Sequence, residues 1–420
     1  MMREASFFGC NKIADTTVAK YNHLTQTIHL DSVTADQVVR FDKALKDPTN
    51  FDYQIFQGIE EIVRPLVHEL RHWTDMNCSI KGIMTISKIF ELQKSLRMDM
   101  PYVWQLKKDL SLGMFIEKGE YLKQPWTHSF SISRPLHHDF DEHLSVCFHH
   151  PSDETKIHFK TPIYLGSILE CCAVFQELRD VVPMLTNTEI WPLEKHSLKK
   201  KTIDFVYNPD FPEYHAIAHA YASASQITDV AEAYELAASI CFLLLHMPND
   251  MLRESIDSAV YLTRKQGHLL PPTSLASSWP REFLLLYAMQ KIRFLARRNE
   301  LDLSSDFIFD LLPTWKKSKS HFFARSHEEY CKIACSAKNC GVAYFEMALP
   351  ALIENNEKML GKRELTPTIL DLKRPPMFCG DFIVQGASEF NGLEDHFYDV
   401  PELEMTKILE IQRNPIGLYP

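Results

Sequence analysis

The sequence predicts an α+β protein: a small twisted sheet and one long motif-bearing helix in the first half, then a predominantly α-helical region. Two patterns carry this. Short runs at 18–30 and 128–164 alternate apolar and polar residues with the period of two that a half-buried strand needs. After about Trp191 the apolar residues recur every three to four positions, the spacing of one helix face. With 420 residues, 45 % of them apolar and 24 % charged, the chain has the composition of an ordinary globular protein, which excludes collagen, rods and long disorder as its main state.

In order along the chain, Val18 to Leu30 reads as strands, and Asp31-Ser-Val-Thr-Ala-Asp36 as a cap opening a helix that ends near Leu45. Helical periods follow from about Tyr53 to Asn77 and from Ile80 to Leu96. Ser129 to Ser133, His143 to Phe148 and Lys156 to Lys160 alternate like strands, with a turn at Pro151-Ser-Asp-Glu154. Gly166 to Val182 returns to helix. Further helices are expected at Tyr214–Ser225, Val230–Leu245, Met251–Lys265, Trp279–Arg298, Ser305–Leu312 and His327–Ile353, with breaks at Pro271-Pro272 and Pro313. Beyond Gly361 periodicity fades. The expected organisation is a metal-binding region over 1–195, a helical domain over 196–362 and an irregular C-terminal segment over 363–420.

Charge and composition exclude several functions. With 45 Lys and Arg against 55 Asp and Glu, the net charge is −10, and the only tight basic run is Lys199 to Lys201. General binding of nucleic acid needs a concentrated basic surface, so no nucleic-acid partner is expected. No apolar run reaches the about 18 residues of a membrane span, and the first residues lack a signal-peptide core. A cytoplasmic protein is expected, its ten scattered cysteines reduced. No glycine-rich phosphate loop or nucleophile elbow appears.

One motif stands above this background. Residues 66–75 read Leu-Val-His-Glu-Leu-Arg-His-Trp-Thr-Asp and contain His68-Glu69-Leu70-Arg71-His72. On a helix, residues four apart stand one turn above each other, so both imidazoles reach one tetrahedral Zn²⁺ while Glu69 projects beside it. Composition alone gives on the order of 0.06 chance matches in such a chain, so the context counts. At about 100° per residue, Ile59, Ile62, Val63, Leu66, Leu70 and Trp73 share an apolar stripe, and His68, His72, Glu61 and Asp75 lie opposite, facing an expected cleft. Pro65 either kinks this helix or begins it.

A catalytic zinc has three protein ligands and an open position for water. Glu170 in Leu165-Gly-Ser-Ile-Leu-Glu-Cys-Cys-Ala-Val-Phe-Gln-Glu177 is the leading candidate for the third, with Asp75, Glu91 and Glu177 as substitutes. Asp75 is also placed to orient a ligand imidazole, or is simply a solvated aspartate. Tyr164, Tyr214, His215 and His219 are candidates to hold a tetrahedral oxyanion, and sequence does not choose between them.

With His68-Glu-x-x-His72 and the small Ala173 three residues after Glu170, the sequence resembles the zincin metallopeptidases, and among them the gluzincin branch. The metzincin pattern fails, because Asp75 and Cys78 stand where it has glycine and histidine or aspartate. The resemblance covers only the motif helix and the Glu170 helix. It implies a zincin-like fold, with the sheet against the motif helix and a helical lobe closing the cleft. It also implies zinc held by His68, His72 and Glu170, with Glu69 as the general base for hydrolysis of a protein or peptide substrate. The alternative is a catalytically silent or latent zincin-like module, a toxin or defence factor among the options, meeting a protein partner through its helical region. His137 to His143 and His149-His150 read as a polar hairpin, and Cys331, Cys335 and Cys340 as packing thiols on a helix running towards Gly341.

Overall fold

The computed structural model describes residues 19–23, 26–47, 52–95, 109, 130–133, 143–150, 153–187, 200, 205–206, 208, 211–266, 273–313, 318–337 and 342–392. Strands β1 (Lys20–Asn22) and β2 (Thr27–Leu30) form an antiparallel pair, followed by α1 (Ala35–Lys46). Thr34 and Gln37 close a capping box at the start of α1, where the sequence had placed a cap. Helix α2 (Asp52–Gly58), a π-turn (Ile59–Val63) and α3 (Arg64–Cys78) run on as one winding, and α4 (Ile80–Ser95) follows after a single extended residue, Ser79. Strands β3 (Phe130–Ser133), β4 (Ser145–His150) and β5 (Asp153–Pro162) make an antiparallel sheet. Then come α5 (Leu165–Gln176), a second π-turn (Glu177–Val181) and α6 (Val182–Asn187).

The helical region contains α7 (Ala216–Ser225), α8 (Val230–His246), α9 (Asn249–Gln266), α10 (Thr273–Ser278), α11 (Pro280–Ala296), α12 (Ser305–Leu311), α13 (Lys319–Ala337) and α14 (Ala343–Gly361). The single helix expected over 327–353 is two helices, and the first begins earlier, at Lys319. The stretch between them contains Asn339 and Gly341, both weak helix formers, which the apolar period passed over.

The C-terminal segment is less irregular than its composition implied. Strand β6 (Met377–Cys379) pairs in parallel with β2 and antiparallel with β7 (Ile383–Val384), giving a sheet of order β1-β2-β6-β7. Strands of two and three residues are too short for periodicity to reveal. The rest of the segment, 393–420, lies outside the described residues, as do His137, His138 and Cys340.

This sheet, α4, α5 and α14 all pack around α3. Every residue of α3 from Val67 to Cys78 is buried. The expected cleft-facing polar side of the helix is thus covered, chiefly by α5, while Leu70, Trp73 and Met76 face the apolar core. Helix α5 in turn packs on α8, most of whose residues are buried, and the larger of two apolar clusters includes residues from Tyr21 to Phe390. Among the described residues no helix is long and apolar enough to cross a membrane.

Candidate metal centre

Proline fixes the entry to the motif helix. Pro65 has no N–H, and its ring crowds the carbonyl four residues back. The chain widens just before it into the Ile59–Val63 π-turn, where the Arg64 N–H donates to the Ile59 carbonyl. Pro65 then falls in the first turn of α3, where an N–H is not missed. The second π-turn follows α5, and Glu177 opens it. The two wide turns are tied together: Arg64 Nε donates to Glu177 Oε2 at 2.5 Å, and Arg64 Nη1 to Glu60 at 3.3 Å. Such widened turns often mark functional positions in helices.

Three side chains converge between α3 and α5. His68 and His72 bring their Nε2 atoms to 3.0 Å from each other. Glu170 Oε2 lies 3.2 Å from His68 Nε2 and 3.3 Å from His72 Nε2. For bonds of about 2.0–2.1 Å, tetrahedral geometry sets neighbouring ligand atoms about 3.3–3.4 Å apart, so this triangle has the dimensions of a zinc face. The donor set of two imidazoles and one carboxylate suits the same ion. Glu69 is not part of the triangle. Its carboxylate is held by the Tyr21 N–H of β1 and feels the charges of all three. The four side chains belong to residues only 5–8 % exposed.

A further carboxylate orients the first imidazole. His68 Nδ1 lies 2.6 Å from Glu177 Oε1. An ionised carboxylate only accepts, so Nδ1 must donate, which leaves Nε2 as the nitrogen offered to a metal. Glu177, considered from sequence as a substitute ligand, here bonds His68 Nδ1 and lies outside the His68, His72 and Glu170 group; its pairing with Arg64 had no periodic signal. His72 Nδ1 finds no hydrogen-bond partner among the described residues.

The electrostatics follow from this packing. Burial alone would raise Glu170, yet His72, then bonds to both imidazoles, bring its carboxyl down to about 2. Burial alone would lower His68, but the bonds to Glu170 and Glu177 hold its proton and push it well above the usual imidazole range. The metal-free site is thus an imidazolium clamped between two carboxylates. Burial raises Glu69, with both histidines acting against it.

The other expected residues are dispersed. Asp75 lies on α3 but accepts from Arg71 Nε at 2.8 Å, and Arg71 Nη1 reaches Gln176 of α5 at 2.9 Å. At four residues' separation on a fully buried helix, the guanidinium claims this carboxylate, so Asp75 orients Arg71 and is neither solvated nor bonded to an imidazole. Tyr214 stacks beside His68, ring centres 5.7 Å apart. His215 points elsewhere, its Nε2 2.9 Å from the Asn208 carbonyl and its ring 5.4 Å from His219. Tyr164 caps α5, exchanging bonds with Ser167 and packing its ring on Gly166. Glu91 is exposed on α4.

His23, just after β1, was missed from sequence. It is buried, neutral by desolvation with its imidazole down to about 3, and near enough to His72 and Glu170 to feel both. It sits in a strand pattern where a histidine carries no spacing signal. Comparison with family models, with curated proteins and with solved structures gave no match. The functional reading rests on the buried His68, His72 and Glu170 triad, a site able to hold a metal ion.

Proposed function

We propose that the protein is a zinc-dependent hydrolase of the zincin type, cleaving peptide bonds in a protein or peptide substrate. The observation that carries this reading is the convergence of His68, His72 and Glu170, drawn from two helices far apart in sequence, with Glu69 buried beside them and outside the ligand triangle. A metalloprotein that merely stores or structures zinc has no need of that fourth, unligated carboxylate.

When bound, the ion would supply an acidified water and an electrophile for the scissile carbonyl. The chain's own groups do the rest. Glu69, raised by burial and steadied by the Tyr21 N–H, takes the proton from the attacking water and passes it to the leaving amine. Glu177 keeps His68 in the required tautomer. Among the described residues, Tyr214 and His23 lie near the triad and are the candidates to face a developing oxyanion. Changing Glu69→Gln should leave zinc bound while lowering cleavage of a peptide library by at least about a thousandfold. Wild-type rates in that variant refute the hydrolase.

A second reading, a latent or regulatory zincin-like module, is favoured by the burial of all four site residues. Stoichiometric zinc without cleavage of any peptide in the library, until a partner or trigger is added, would support it.

A further inference from the structure

Gln26 closes the turn between β1 and β2, buried and with a φ of 60°. In that left-handed region a Cβ crowds the following carbonyl, so glycine and asparagine are the usual occupants. A glutamine kept there is held by its surroundings, and its amide shows how. Oε1 accepts from the Tyr21 hydroxyl and from Asn77 Nδ2, the latter at 2.9 Å, and Nε2 donates to the His23 carbonyl at 2.5 Å. Asn77 is fixed in turn. Its Nδ2 lies 2.9 Å from the Trp73 carbonyl, and its own carbonyl accepts from the Tyr330 hydroxyl at 2.6 Å. The residues that Gln26 grips are also those by which the hairpin reaches the candidate metal centre. The Tyr21 N–H bonds the Glu69 carboxylate, and His23 feels the charges of His72 and Glu170. Glu69 and Asn77 stand eight residues apart on α3, about 12 Å along its axis. The hairpin is thus moored to the motif helix at two points, and Gln26 makes the far one.

We propose that Gln26 is a positioning residue: by tying Tyr21 and His23 to the end of α3 it keeps the Tyr21 N–H on the Glu69 carboxylate, and so fixes where that group stands beside the ligand triangle. The catalytic consequence rests on the hydrolase reading; the mooring itself does not. A carboxylate turns readily about its last bond unless a donor holds one oxygen, and the N–H of a paired strand is a rigid donor. Released from it, Glu69 would sample positions that miss the attacking water, and a misplacement of about 1 Å costs about a hundredfold in rate. A role in the turn alone does not account for this side chain. Glycine takes a positive φ at no steric cost and would serve the turn better. What glycine lacks is the amide that joins Tyr21, His23 and Asn77.

The test uses the full zinc-loaded chain carrying Gln26→Gly, which relieves the backbone and removes the amide. Hydrogen exchange at the Tyr21 amide should accelerate at least about tenfold while the amides of α3 keep their protection. On a peptide that the unaltered protein cleaves, kcat should fall at least about tenfold, with KM and zinc affinity within about twofold. Gln26→Asn, which tolerates the backbone but is one methylene too short to reach, should behave likewise. Glu69→Ala should release the same amide. Unchanged Tyr21 exchange in both Gln26 variants overturns the proposal, and so does faster exchange with kcat intact. If the unaltered protein cleaves nothing, the hydrolase reading fails, and Tyr21 exchange still decides whether Gln26 holds the strand on Glu69.

Discussion

Glu177 gives the centre its asymmetry. By fixing the His68 tautomer from a second helix it would, in the proposed metal centre, act on metal affinity without touching the ion, and groups in such a position typically contribute about 10–100-fold. Glu177→Gln should therefore weaken zinc binding by that factor in a chelator competition assay while stoichiometry stays at one ion per chain; unchanged affinity would mean the His68 contact has no such role. The same residues set a pH signature. Glu170, lowered from 4.5 to about 2, stabilises the fold above 4.5, and this contribution is lost as pH falls towards 2. His68, raised above 6.5, stabilises it below 6.5 and loses that contribution as pH rises through the raised value. The thermal midpoint of metal-free protein should thus decline on the alkaline side, and zinc, which replaces the His68 proton, should abolish the decline. Parallel melting curves of chelator-treated and zinc-loaded protein across pH check this; identical curves would contradict it.

The helices were legible where a long period began at a capping side chain, as in α1 and α8, whereas the motif helix, which has no side-chain cap, was legible from its spacing alone. Strands β3, β4 and β5 were legible for the complementary reason, a clean alternation. What periodicity could not show was the π-turn before Pro65, because a widened turn shifts the helical phase by one residue and looks like noise in a wheel. Nor could it show that α5 closes over the polar face of α3. That contact is made by Arg71, Asp75 and Gln176, polar residues a one-sided pattern assigns to solvent. Their burial makes a prediction about elements: Asp75→Ala leaves Arg71 uncompensated between α3 and α5 and should cost about 3–5 kcal/mol in denaturant unfolding. Zinc stoichiometry should be unchanged in the folded fraction. A variant of native stability that has lost its zinc would instead place Asp75 in the metal centre.

For the whole molecule, the larger of two apolar clusters draws its residues from the first half of the chain, from the helical region and from the segment after Gly361. Helix α8 backs α5, β6 completes the sheet beside α3, and Tyr330 and Asn356 fasten the last two long helices to the carbonyls of Asn77 and Cys78. The site at the centre is consequently held from both ends of the sequence, and a ligand that binds it stabilises the entire fold. The claim on which everything rests is the identity of the ligand atoms, and zinc-edge X-ray absorption of protein loaded with one equivalent reads them directly. A shell of nitrogen and oxygen at about 2.0–2.1 Å, with the outer scattering of two imidazoles, is the predicted spectrum. A sulfur shell at about 2.3 Å would place the ion on cysteine thiolates and contradict the account.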